Sequence, residues 1–163
     1  MGRAQRNKGA TAERELAKLL SDQLGAEVSR NLLQTREGGH DLNGVGGWAV
    51  EVKRHETLNL TAWWEQTLRQ AQRSGQKPVL AYRQSRRPWS FVVRLCDLCP
   101  SLTGDCTAQL NLDGFCLLVR EQLTWQCFTC SADPDQLQQI RGLCTRLGVT
   151  TNIPAADQAQ PNF

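Results

Sequence analysis

The chain has no apolar run long enough to cross a membrane, and its basic first residues, Met1 to Ala10, lead into no hydrophobic segment of the kind an export signal carries. Both absences predict a protein working in the cytoplasm, with no membrane partner. No internal repeat or low-complexity tract precedes the tail. An excess of charge of one sign is also missing, since the net charge is only +3. The cysteines number seven, an odd count that fits reduced thiols or metal ligands better than a disulfide framework.

What is present is a chain of 163 residues, 40% hydrophobic, sized for one compact domain with a core of its own. Its charge is unevenly placed. Basic residues crowd the part before residue 95, in one group from Arg3 to Arg54 and a second at Arg69, Arg73, Lys77, Arg83, Arg86, Arg87 and Arg94. A basic half suits a polyanion such as nucleic acid, although ordinary solvated lysines and arginines give the same count.

The organising stretch is Trp48-Ala49-Val50-Glu51-Val52-Lys53-Arg54. With a strand period of two, Trp48, Val50 and Val52 share one face and Ala49, Glu51 and Lys53 the other. Glu51 and Lys53, roughly 6.5 Å apart along the strand, can converge on one small region without touching, leaving room between them for a metal and its attacking water. A half-exposed strand with a solvated charged face accounts for the same tripeptide without chemistry. Upstream, Asn43-Gly44-Val45-Gly46-Gly47 reads as a hairpin turn. Pairing Leu42 with Trp48 across it would set Asp41 opposite Ala49, on the face of Glu51 and diagonal to it, within reach of one divalent ion.

The remaining elements follow from the same periodicities. Residues 1 to 10 look like a flexible basic arm. Thr11 offers an N-cap to a helix from Ala12 to Leu24, stopped by Gly25. Its apolar stripe is Ala12, Leu16, Leu19, Leu20 and Leu24. Glu13 falls inside that stripe, either leaning out to water as a first-turn acid or reaching toward the sheet. A strand is expected over Ala26 to Leu33, then a polar loop from Gln34 to His40. A helix follows over Leu60 to Arg73 and strands over Val79 to Arg83 and Trp89 to Leu95. Arg30 could hold a phosphate or a salt bridge, and His40 reads as a loop histidine able to touch DNA. Trp63 and Trp64 suit the core or a dimer surface. The order is that of an α/β layer arrangement with a mixed sheet between helices.

Asn7-Lys8-Gly9 leading to Glu13-Arg14-Glu15-Leu16, then Arg30, Gly39-His40-Asp41-Leu42 and Glu51-Val52-Lys53-Arg54, resembles the archaeal-type Holliday junction resolvases and their bacteriophage relatives. These are restriction-endonuclease-like nucleases, marked by an Asp followed by Glu-x-Lys. The likeness covers about residues 7 to 95. It implies an Mg2+-dependent endodeoxyribonuclease that hydrolyses phosphodiester bonds in branched DNA as a homodimer, with no small-molecule substrate. By the same resemblance Asp41 and Glu51 would bind Mg2+ (or Mn2+), with the Val52 carbonyl and Glu13 completing the site and Lys53 orienting or deprotonating the attacking water. Gln70, or less directly Gln66, would stand near. Arg3, Arg6, Lys8, Arg30, Arg36, His40 and Arg54 would contact DNA. Hard oxygen ligands of this kind suit Mg2+. A flap, nick or duplex-end nuclease would share the site, and a silent DNA-binding module with a zinc ribbon is the reading from another class.

The expected fold is thus a restriction-endonuclease-like mixed β-sheet flanked by helices, with a nuclease core over 11–95, a cysteine-rich extension packed on it over 96–149 and a disordered tail over 150–163. In the extension Cys96-Asp97-Leu98-Cys99 and Cys127-Phe128-Thr129-Cys130 form two CxxC pairs, the pattern of a tetrathiolate zinc site. Their separation, Pro100 to Gln126, exceeds the common spacing, so buried reduced thiols are the alternative. Cys96 is read as continuing the preceding strand. Phe115 to Val119 and Leu123 to Phe128 read as a β-hairpin around Arg120-Glu121-Gln122, and Asp133-Pro134 as the start of a helix carrying Leu137, Ile140, Cys144 and Leu147.

Overall fold

A computed structural model describes residues 3–32, 39–99, 102 and 104–131, with the side chains of 3–7 and 123–131 left aside. Six strands form one sheet in chain order: β1 (Ser29–Arg30), β2 (Leu42–Asn43), β3 (Trp48–Arg54), β4 (Lys77–Arg83), β5 (Ser90–Arg94) and β6 (Thr107–Asn111). Neighbours are antiparallel except β3 and β4, which run parallel. Helix α2 (Leu60–Ser74) makes the crossover that a parallel pair requires. The other helices are α1 (Arg3–Leu24), the one-turn α3 (Leu95–Leu98) and α4 (Leu112–Ser131). None of the described helices is long and apolar enough to cross a membrane.

The strand alternation sorts the sheet into two faces. Leu42, Trp48, Val50, Val52, Val79, Ala81, Phe91 and Val93 join Ala12, Leu16 and Leu20 of α1 and Phe115, Cys116 and Val119 of α4 in one core. Each fully buried leucine of that stripe contributes roughly 1.5–3 kcal/mol. Leu19 and Leu24 are partly buried at its border, as the helical stripe predicts. Phe115 stacks on Phe91, with centroids 4.6 Å apart, and meets Trp48 edge-on at 5.8 Å. On the opposite face α2 packs Thr67 and Ala71 toward β3 and β4. It is capped by the Asn59 side chain at its start and by Gly75, in the left-handed conformation, at its end.

Several expectations are corrected. Helix α1 begins at Arg3, so most of the expected flexible arm is helical and Thr11 is not an N-cap; Ala4, Gln5, Arg6 and Lys8 carry enough helix propensity to extend the helix backward past Gly9. The expected 26–33 strand shrinks to Ser29–Arg30. Leu42 pairs with Val50 rather than Trp48, because the connection keeps Val45, 3% exposed, inside the core. Cys96 lies in the α3 turn rather than in a strand, and Thr107–Asn111 forms a strand that alternation in so polar a segment does not announce. The expected hairpin over 115–128 is helix α4: Phe115, Cys116 and Val119 lie at spacings of one and three, which a helix brings onto one face. Arg36, Cys144 and everything expected beyond residue 131 lie outside the described residues.

Candidate active site

Strand β3 is buried on both faces, with Ala49 1%, Glu51 2% and Val52 8% exposed, which removes the reading of Glu51 as part of a solvated charged face. A carboxylate taken from water costs several kcal/mol unless it is paired. Glu51 Oε1 accepts from Lys53 Nζ at 2.5 Å and from Gln66 Nε2 at 2.7 Å, and Lys53 Nζ donates in turn to Gln66 Oε1 at 3.1 Å. Glu51 Oε2 is buried and has no partner among the described residues. This oxygen is an acceptor held ready in a polar site.

The two-residue difference in register has a local consequence. Because Leu42 faces Val50, Asp41 stands directly opposite Glu51 rather than diagonal to it, and the parity that places both on one face is kept. Asp41 is 5% exposed, its N–H donates to the Val50 carbonyl at 2.8 Å, and its Oδ2 accepts from the Val52 N–H at 2.6 Å. Two buried carboxylates, one with an orphaned oxygen, therefore meet on adjacent strands beside Lys53. A hard divalent cation fits that donor chemistry. Glu13 is engaged elsewhere: its Oε2 accepts from Arg30 Nε at 2.5 Å. Among the described residues no three His, Cys, Asp or Glu side chains gather as a ligand cluster, so Glu13 is not brought together with Asp41 and Glu51.

Gln66, not Gln70, is the amide at the site. Helix α2 starts from the end of β3 that carries Lys53 and runs back along the strand, so Gln70 lies about 6 Å further from it. Gln70 Oε1 is buried without a partner among the described residues.

The residues expected to contact DNA are distributed as follows. Arg3 and Arg6 lie in the first turns of α1. Lys8 Nζ is 3.3 Å from Glu56 Oε1, and Arg54 Nη1 is 3.9 Å from Glu15. Arg30 holds Glu13, and His40 is half-buried with no partner for Nδ1 among the described residues. Trp63 is half-buried against the His55 ring, centroids 5.5 Å apart, and Trp64 lines a groove. Of the zinc candidates, Cys96 is half-buried and Cys99 exposed, while the side chains of Cys127 and Cys130 lie outside those described. Sequence reasoning placed Arg83 only in a basic group, yet it donates to Glu15 at 2.5 Å and lies 4.8 Å from the Trp89 ring centroid; no sequence signal pointed to Glu56, whose carboxyl is held below the usual range chiefly by its hydrogen bond from Ser85. Long-range partners of this kind leave no sequence spacing to find.

The chain was compared with known proteins. No curated protein matches it. Among solved structures, a Holliday junction resolvase, Hjc, of the archaeal hyperthermophile Archaeoglobus fulgidus aligns at 23% identity with a TM-score of 0.42, over 68% of this chain and 88% of that one. The family described as phage putative PDDEXK endonuclease matches residues 4–121, a span that holds every strand of the sheet together with Asp41, Glu51 and Lys53. The chain belongs to that family, whose match spans Asp41 and the strand that carries Glu51 and Lys53.

Proposed function

We propose that the protein is a metal-dependent, structure-selective DNA endonuclease that resolves four-way junctions as a homodimer. The observation that carries this reading is the unpartnered, buried Glu51 Oε2 directly beside Lys53 and opposite Asp41, in a chain of an endonuclease family. Asp41 and Glu51 would hold Mg2+ (or Mn2+), with the Val52 carbonyl as a further oxygen. When bound, the ion supplies Lewis acidity toward the phosphate and makes water a better nucleophile. Lys53, aimed by Glu51 and Gln66, orients that water and offsets the negative charge that grows on the phosphate oxygens. Water adds at phosphorus, the bond to the leaving sugar oxygen breaks, and the proton lost by the water is returned to that oxygen. Glu13 stays with Arg30. Resolution needs two cuts on symmetric strands, and each chain has one such site, so two copies act together.

The test is cleavage of labelled four-way junction, flap and linear duplex by wild type, Glu51→Ala, Asp41→Ala and Lys53→Ala, with Mg2+ or with EDTA. Paired nicks in the junction alone, absent in EDTA and reduced about a thousandfold in each variant, are expected. Junction binding should stay near wild type, because phosphate contacts elsewhere supply most affinity. Cleavage of flaps or duplex in place of junctions would overturn the junction assignment. Binding without any cleavage would overturn the nuclease reading.

A further inference from the structure

The turn that joins β4 to β5, residues 84–89, is bolted to the exit of β3. Glu56, just beyond β3, accepts hydrogen bonds from the Ser85 N–H at 3.3 Å and from the Ser85 hydroxyl, and its main-chain carbonyl accepts from Gln84 Nε2 at 2.7 Å. The His55 N–H donates to the Arg83 carbonyl at 3.2 Å, and the Arg87 N–H closes the turn on the Gln84 carbonyl at 3.2 Å. The turn therefore has a fixed place. At its tip Arg86 adopts φ 63°, a left-handed conformation that glycine enters freely and arginine enters at a cost of roughly 1–2 kcal/mol. Arg86 and Arg87 are exposed, and neither forms an ion pair with an acid among the described residues. Arg54 and Arg83, by contrast, share the single carboxylate of Glu15. Strain spent on presenting two unneutralised guanidinium groups points to an anion they meet.

Their position says which anion. Arg83 pairs with Arg54, the neighbour of Lys53, and Arg86 is three residues further on, at most about 10 Å of chain. That is about three base-pair steps along the axis of duplex DNA. We propose that the β4–β5 turn is a second phosphate-gripping element, in which Arg86 and Arg87, positioned through Glu56, hold the backbone of the DNA arm flanking the cleaved bond. This rests on the nuclease reading above and adds where the substrate's arm is held.

The experiment uses full-length wild type, Arg86→Gly/Arg87→Ala and Glu56→Ala. It measures junction binding in EDTA from 50 to 300 mM salt (about the range in which phosphate contacts are screened), thermal melting, and cleavage in Mg2+. The double variant should lower the slope of log affinity against log salt by about two and weaken binding at least about tenfold at the middle of the range. It should melt no lower than wild type, since glycine relieves the left-handed residue. Glu56→Ala removes a negative charge, which by simple attraction would tighten binding; the positioning role predicts severalfold weaker binding instead. An unchanged slope in the double variant, or tighter binding by Glu56→Ala, would overturn the proposal while leaving wild-type cleavage intact. Failure of the nuclease reading would appear separately, as wild type that binds and cuts nothing.

Discussion

At the scale of single residues, the site turns on how a buried glutamate is kept charged and aimed. Lys53 and Gln66 both bond one oxygen of Glu51 and leave the other for a ligand. Gln66 touches Lys53 as well, so it fixes the ammonium in place without being required for the reaction itself. Gln66→Ala should therefore lower cleavage roughly tenfold to a hundredfold, the usual cost of losing a supporting hydrogen bond around a metal site. Gln70→Ala should stay within about twofold, being one turn too far along α2. Single-turnover cleavage of the preferred substrate separates the two, and equal losses would show that α2 sits in another register on the sheet. That Glu51 and Lys53 share a face was legible from the strand period alone, but their direct contact at 2.5 Å was not, since that period sets the two backbones roughly 6.5 Å apart. The choice between the two glutamines was not, because both share a helix face and only the direction of the crossover ranks them.

At the scale of elements, the connection from β2 to β3 decides whether Asp41 reaches Glu51. Gly44 has φ +90°, and a Cβ there would sit 2.1 Å from the Glu27 carbonyl oxygen. Gly47 also has positive φ, +75°, but opens into free space. Gly44→Ala should destabilise the fold by more than about 2 kcal/mol, strain and collision together, against about 1 kcal/mol for Gly47→Ala. Denaturant titration of both variants checks this, and comparable losses would mean that the segment before β1 does not press on the turn. The glycine-rich stretch announced the hairpin, but the two-residue error in register shows its limit: alternation fixes parity and leaves steps of two open. The reading of Phe115 to Phe128 as strands failed for a related reason. A short apolar run satisfies either period, and the decision came from Phe91 and Trp48, onto which a helix brings Phe115.

At the scale of the whole molecule, among the described residues α1 and α4 pack on one sheet face, whereas α2 packs on β3 and β4 of the other. Beside α2 remains an open groove of about 360 Å³, lined by Leu60, Thr61, Trp64, Leu80, Val92 and Ala108 among others. The homodimer proposed from the need for two cuts is expected to bury this face against a second copy. Wild type should sediment at twice the 18.2 kDa chain mass at micromolar concentration, and Trp64→Glu at 18.2 kDa with its melting temperature little changed. A Trp64→Glu protein that remains dimeric would move the contact elsewhere on the surface.

The sequence by itself determined the helix stripe, the paired faces of β3, the parity that sets Asp41 with Glu51 and the resemblance carried by Glu-x-Lys, because each depends only on spacings of two or near 3.6 along one segment. Tertiary structure decided the exact register, the burial of Glu51, the engagement of Glu13 by Arg30, the choice of Gln66 and the fastening of the β4–β5 turn to Glu56. Apart from the register, those features join residues from 15 to 29 positions apart through hydrogen bonds that no local period encodes. They exist only once the sheet has fixed which strands lie side by side.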